Sequence, residues 1–179
     1  LDNPDKIGVA SLTAKLMNEG TKTKTPVELR EAMQDLGANI SIQGGTENIS
    51  ISGGCLASKL DETFALAKEM LFEPRWDAKE FELAKTQTIQ GLKRTETAPT
   101  SIARSVFDKL VYGADNILAN DAAGTIKSVQ SITLDDLKNY YNNYFSPSVA
   151  KIIIVGDIPE AKAVELFNGL KDWKAKDVK

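Results

Sequence analysis

The feature that most constrains the fold is a change of period at Gly37. Residues 7–19 place Ile7, Val9, Leu12, Leu16 and Met17 at helical spacing, with Gly20 as a stop. Thr25 and Pro26 then open a second helix as N-cap and first residue, carrying Val27, Leu29, Ala32, Met33 and Leu36. Beyond Gly37 the period drops to two. Ala38, Ile40 and Ile42 alternate with polar residues, and after Gly44-Gly45 so do Ile49 and Ile51. Two helices running into two alternating segments around a glycine turn predict a β-hairpin with one face buried beneath helices.

Further along, Ser58 is expected to cap a helix bearing Leu60, Phe64, Leu66, Ala67, Met70 and Leu71, closed by Pro74. Asp77 opens a long helix to about Arg94, and Pro99-Thr100 another to Tyr112, followed by a loop over residues 113–124. Thr133 with Asp136 three residues on has the form of a capping box for a helix reaching Tyr144, which Ser146-Pro147 end. The β-branched run VAKIIIVGD, residues 149–157, reads as a buried strand, and a last helix spans Glu160 to Leu170. The expectation is an α+β fold, with helices packed on one face of a mainly antiparallel sheet.

Composition narrows the chemistry. The chain of 179 residues contains no histidine and a single cysteine, Cys55. The first removes Ser-His and Cys-His nucleophile systems and most zinc-hydrolase sites; the second removes an internal disulfide and multi-cysteine metal centres. Lysine and arginine number 22 against 25 aspartate and glutamate, without a basic stripe, so no nucleic-acid footprint is expected. No stretch approaches the ~20 apolar residues of a membrane span. Leu1-Asp2-Asn3-Pro4 and the lysine-rich end from Lys171 read as cuts within something longer.

Several phrases occur in a telling order: GVASLTAKLMNEGTKTKT at residues 8–25, Leu-Gly-Ala at 36–38, LFEPRWDAKEFELAK at 71–85 and ITLDDLKNYYNNYFSPSVAKIIIVGDI at 132–158. With them the chain resembles the pitrilysin/insulinase family of zinc metallopeptidases, the inverted zincins that include the mitochondrial processing peptidases. The resemblance covers nearly all of residues 5–170 and implies the processing-peptidase-like fold, truncated at its N-terminal strands. In active members the first helix carries His-x-x-Glu-His, two zinc ligands one turn apart with the general base between them.

Anchored on Gly8 and Gly20-Thr21, that motif falls on Ser11, Leu12, Thr13, Ala14 and Lys15, and both ligands and the base are missing. The family's third ligand, a glutamate before a proline, falls on Gly91, and a supporting acid two turns earlier on Ala84. No catalytic, cofactor or metal residue is therefore expected in this chain; Ser11, Ala14, Lys15 and Gly91 mark degenerate positions. The resemblance implies a non-catalytic repeat, residues 1–130 forming most of it and residues 131–179 a closing helix, strand and helix. Its partner would be a zinc-bearing catalytic half on the same or a sister chain, and together they would enclose a peptide substrate. The alternative is a purely structural or assembly module. A bacterial setting is expected from overall sequence style; a periplasmic location is what the resemblance to large bacterial family members implies, with the cytoplasm as the alternative.

Of the single residues, Lys15 reads first as a solvated lysine and second as a chamber-facing cation. Cys55 reads as a buried small apolar residue, and Glu62, Glu69, Glu73, Glu80 and Glu82 as solvated helix faces. The hairpin is read as structural before substrate-pairing, and Tyr140, Tyr141, Tyr144 and Phe145 as core and boundary residues.

Overall fold

Helix α1 (Val9–Met17) lies at the centre, and its sequence explains why. Seven of its nine residues are buried, so both sides of the helix meet protein. It begins at Gly8, in a left-handed conformation (φ 101°) where its amide and that of Ala10 donate to the Asp2 carboxylate at 2.7 and 3.2 Å. A side chain at Gly8 would meet the Ala123 carbonyl at 2.6 Å, and one at Gly124 the Ile7 carbonyl. Glycine at both positions therefore lets residues 7–8 lie flush against 123–124, where Ser128 Oγ donates to Ile7 O at 2.7 Å.

The computed structural model describes residues 2, 4–114 and 116–178. After α1 come α2 (Pro26–Asp35), β1 (Asn39–Gly44), β2 (Ile49–Gly54), α3 (Leu60–Phe72), α4 (Ala78–Thr95), α5 (Pro99–Tyr112), α6 (Ile126–Ser131), α7 (Leu134–Tyr144) and α8 (Glu160–Asn168). Short 3-10 turns precede α1 and α3 and lie at Ile117–Ala119 and Pro147–Val149. Among the described residues the sheet is antiparallel and two-stranded, Ile42 facing Ile51 and Asn39 facing Gly54. The architecture is α+β, as the change of period at Gly37 requires.

Two apolar clusters flank α1. Val9, Leu12 and Leu16 pack with Phe81, Ala84 and Leu92 of α4 and with Val129, Ile132 and Leu137 around α6 and α7. Ala14 and Met17 face the other way, onto Leu29, Ile40, Ile42, Leu66, Met70, Leu71 and Phe145. Trp76 and Tyr140 touch both clusters and join them. Each fully buried leucine contributes about 1.5–3 kcal/mol, so losing the α1 interface would remove both cores together.

Helix starts follow side-chain chemistry. Thr25 with Glu28, and Thr133 with Asp136, form reciprocal capping boxes, while Asp77 accepts from the amides of Lys79 and Glu80. These backbone hydrogen bonds hold the Asp77 carboxyl below its ordinary range.

The structure departs from the sequence expectation in four places. Residues 151–155, expected as a buried strand, carry no strand assignment and are exposed; among the described residues no strand pairs with them. Ser58 does not cap α3; it lies inside the 3-10 turn Ala57–Lys59, which feeds directly into the helix. Helix α6 was not anticipated beyond the 113–124 loop, although Thr125 and Ser128 form its capping box. The last helix ends at Asn168 rather than Leu170, with turn residues following.

Candidate functional site

The face that would carry a metal motif lies between α1 and α4. Ser11 and Lys15, one turn apart, are both half-buried on the same side of α1. Lys15 Nζ reaches across to α4 and donates to the Ala84 carbonyl at 3.4 Å. Thr88 Oγ1 donates to the same carbonyl at 2.8 Å. Gly91, two turns beyond Ala84, has nothing within 4 Å of where a side chain would begin, so the space there is open. Thus Lys15 and Ala84 are brought together, while Gly91 contributes only room.

Ala14 is different. Its relative exposure is 0%, and it packs against Met17, Ile40 and Ile42 in the second cluster. Leu12 and Thr13 are buried as well, the Thr13 hydroxyl donating to Val9 O at 2.8 Å. This side of α1 is closed by core packing.

These residues do not fit a zinc ion. Ser11, Ala14 and Gly91 offer no histidine, thiolate or carboxylate, and Lys15 brings a positive charge. Among the described residues, no group of three or more His, Cys, Asp or Glu is arranged to hold a metal.

The hairpin approaches the same face. At Gly44 a side chain would stand 2.6 Å from Ser11 Cα and 2.8 Å from its nitrogen, so β1 ends flat against the α1 backbone. At the free edge of β1, Asn18 imitates a neighbouring strand: Ile42 N donates to its Oδ1 at 2.9 Å and its Nδ2 donates to Ile42 O at 2.8 Å. That edge is occupied at Ile42 by the chain's own side chain, which speaks against substrate pairing there. No sequence period flagged Asn18, because its role depends on the docking of β1.

Behind the Gly20-Thr21 turn, Glu69 acts as a clip. Its carboxylate accepts from the hydroxyls of Thr21 and Thr23 and from Lys24 Nζ, the last at 2.7 Å. Burial pushes this carboxyl up, but the bonds from Lys24, Thr21 and Thr23 outweigh it and hold the group below its ordinary range. Glu69 is therefore a structural anchor rather than part of a solvated face. Glu62, Glu73 and Glu82 are exposed as expected, and Glu80 is half-buried. Cys55 is half-buried, not fully buried, because it follows the open end of β2. Phe145 is buried and Tyr144 exposed at the end of α7. Tyr140 is pushed up to about 12 by burial, with the charge of Asp2 adding to it.

Comparison with known proteins places this geometry. The profile described as insulinase (peptidase family M16) matches residues 1–118, and that of the peptidase M16 inactive domain matches residues 131–178. The chain is 28% identical over 168 residues to the "Non-peptidase homolog YmxG" of Helicobacter pylori, covering 94% of this chain and 39% of that protein. It is 24% identical to the "Uncharacterized zinc protease YmxG" of Bacillus subtilis, over 98% of this chain and 43% of that one. It spans about two fifths of the length of these curated relatives. The crystal structure of a protease from Helicobacter pylori superposes with a TM-score of 0.86 at 21% identity, over 99% of this chain and 43% of that one. A fold retained around a face without metal ligands, and profile matches over most of the sequence, lead to one assignment: the chain belongs to the insulinase (M16) peptidase family.

Proposed function

We propose that this chain is a non-catalytic repeat of a two-half M16 assembly, forming part of the wall that encloses and positions a peptide. The observation that carries this reading is the α1–α4 face. It keeps the helix pair that brackets the family's motif, yet presents Lys15 against a backbone carbonyl and an alanine sealed in the core. The zinc would reside in the catalytic half, which would supply the activated water. This chain's contribution would be enclosure and orientation, which raise rates without a reacting group.

The experiment is peptide cleavage by the matching zinc-bearing half, with and without the full-length protein containing this chain. Activity that appears or rises many-fold on addition is the expected result. Unchanged activity while the two proteins still associate would overturn it.

A second reading is favoured by the name of the 28% relative, "Non-peptidase homolog". In it the whole parent has kept the fold for assembly and has no peptidase half. A His-x-x-Glu-His segment in the parent or in an adjacent gene separates the two readings, since the assembly reading requires that it be missing from both.

A further inference from the structure

We propose that Lys15 and Ser11 form the binding point for a carboxylate carried by the enclosed peptide, an inference that rests on the wall reading above. Lys15 is half-buried between α1 and α4, and its ammonium can only donate hydrogen bonds. Within the chain it donates to the Ala84 carbonyl at 3.4 Å, an acceptor that Thr88 already holds at 2.8 Å. Among the described residues no carboxylate pairs with Lys15, and the Ser11 hydroxyl one turn before it has no partner. A half-buried cation this short of acceptors favours an anion that supplies them.

The two helices that bracket the face set the sign of the ligand. Helix α1 carries no acidic residue, and beyond Glu82 the charged residues of α4 are Lys85, Lys93 and Arg94. Lys85 is engaged with the Ile132 carbonyl at 2.7 Å, while Lys93 and Arg94 are exposed. These stretches are therefore cationic in a chain whose net charge is −3. The local field attracts an anion that the chain as a whole would repel.

The donors select its kind. One ammonium and one hydroxyl on the same side of α1 suit the paired oxygens of a carboxylate. The end of β1 at Gly44 lies flat against the Ser11 backbone, whereas beside α4 the space at Gly91 is open. Redirecting Lys15 towards a ligand costs the fold little, because the contact it releases is long and its acceptor keeps Thr88. A peptide offers the group in two places, an acidic side chain and its free C-terminus.

The test is calorimetric titration of the full-length protein containing this chain, at low ionic strength, with acetylated peptides of equal length. One has a central glutamine and an amidated end, one a central glutamate and an amidated end, and one a central glutamine and a free C-terminus. A charged peptide is expected to bind about 5-fold more tightly than the neutral one. The glutamate peptide doing so places an acidic side chain at Lys15; the free-ended peptide doing so places the chain terminus there. Lys15→Met is expected to abolish the difference and Lys15→Arg to keep it, with both variants melting as the parent does. Equal binding of every peptide, or a preference that survives Lys15→Met, would overturn the proposal. Cleavage by the zinc-bearing half that rises equally for charged and neutral peptides would also overturn it and leave the wall reading intact. Lys15-dependent binding with no rise in cleavage would support the carboxylate site and overturn the wall reading instead.

Discussion

Lys15 Nζ lies 3.4 Å from the Ala84 carbonyl oxygen, joining α1 to α4 across the face where family resemblance sets a zinc ligand and its supporting acid. The bond is long and Thr88 already occupies the same acceptor, so it contributes little to stability. Lys15→Met, which keeps the stem and removes the charge, is expected to change stability by no more than about 0.5 kcal/mol. Urea unfolding of the two proteins checks this.

Ala14 gives the opposite outcome. With 0% exposure, it is sealed within the apolar cluster that holds Met17, Ile40 and Ile42. Ala14→Glu, the substitution that would reinstate a general base, buries an uncompensated carboxylate and is expected to cost about 3–5 kcal/mol. Loss of the cooperative thermal transition at neutral pH is the readout. Reinstating the motif therefore requires repacking the hairpin.

Two glycines on either side of this face should respond with opposite signs. Gly44→Ala forces a methyl group to within 2.6 Å of the Ser11 backbone, and overpacking of this kind costs about 1–3 kcal/mol. Gly91 lies inside α4 with open space around it, so Gly91→Ala is expected to stabilise by about 0.5–1 kcal/mol. Denaturant midpoints of the two variants decide the matter.

Much of this architecture was legible in the sequence because it is written in local chemistry. The Thr25, Asp77 and Thr133 caps, the helical spacing of α1 to α4 and the alternation in β1 all report short-range physics. What was not legible depends on distant neighbours. The run at 151–155 has the composition of a buried strand, but burial requires a partner strand that composition does not reveal. Ser58 lost its cap to a 3-10 turn, and Asn18 and Glu69 gain their roles only after β1 and the Gly20-Thr21 turn dock. On the candidate face, the residue types at 11, 14, 15 and 91 were plain, whereas the sealing of Ala14 and the reach of Lys15 to Ala84 needed coordinates.

The Glu69 clip makes stability depend on pH. Its carboxyl is held below the ordinary value of 4.5 in the fold, so the unfolded chain takes up a proton first as pH falls. The stabilisation is present above that value and is lost as pH drops through the lower folded one. Asp136 behaves alike: burial raises it, but Lys6 and Thr133 together hold it down. Glu69→Gln is expected to flatten the Tm profile between neutral pH and the acid limb and to lower Tm at neutral pH. A thermal-melt series across that range measures it.

A peptidase-family fold is maintained here around a face whose residues at 11, 14, 15 and 91 do not suit zinc. Zinc content of the purified chain after loading with excess zinc and exhaustive dialysis, with peptide hydrolysis assayed on the same sample, tests it most directly. Far less than one zinc per chain and no zinc-dependent cleavage are expected. One zinc per chain, with hydrolysis that a chelator abolishes, would contradict it.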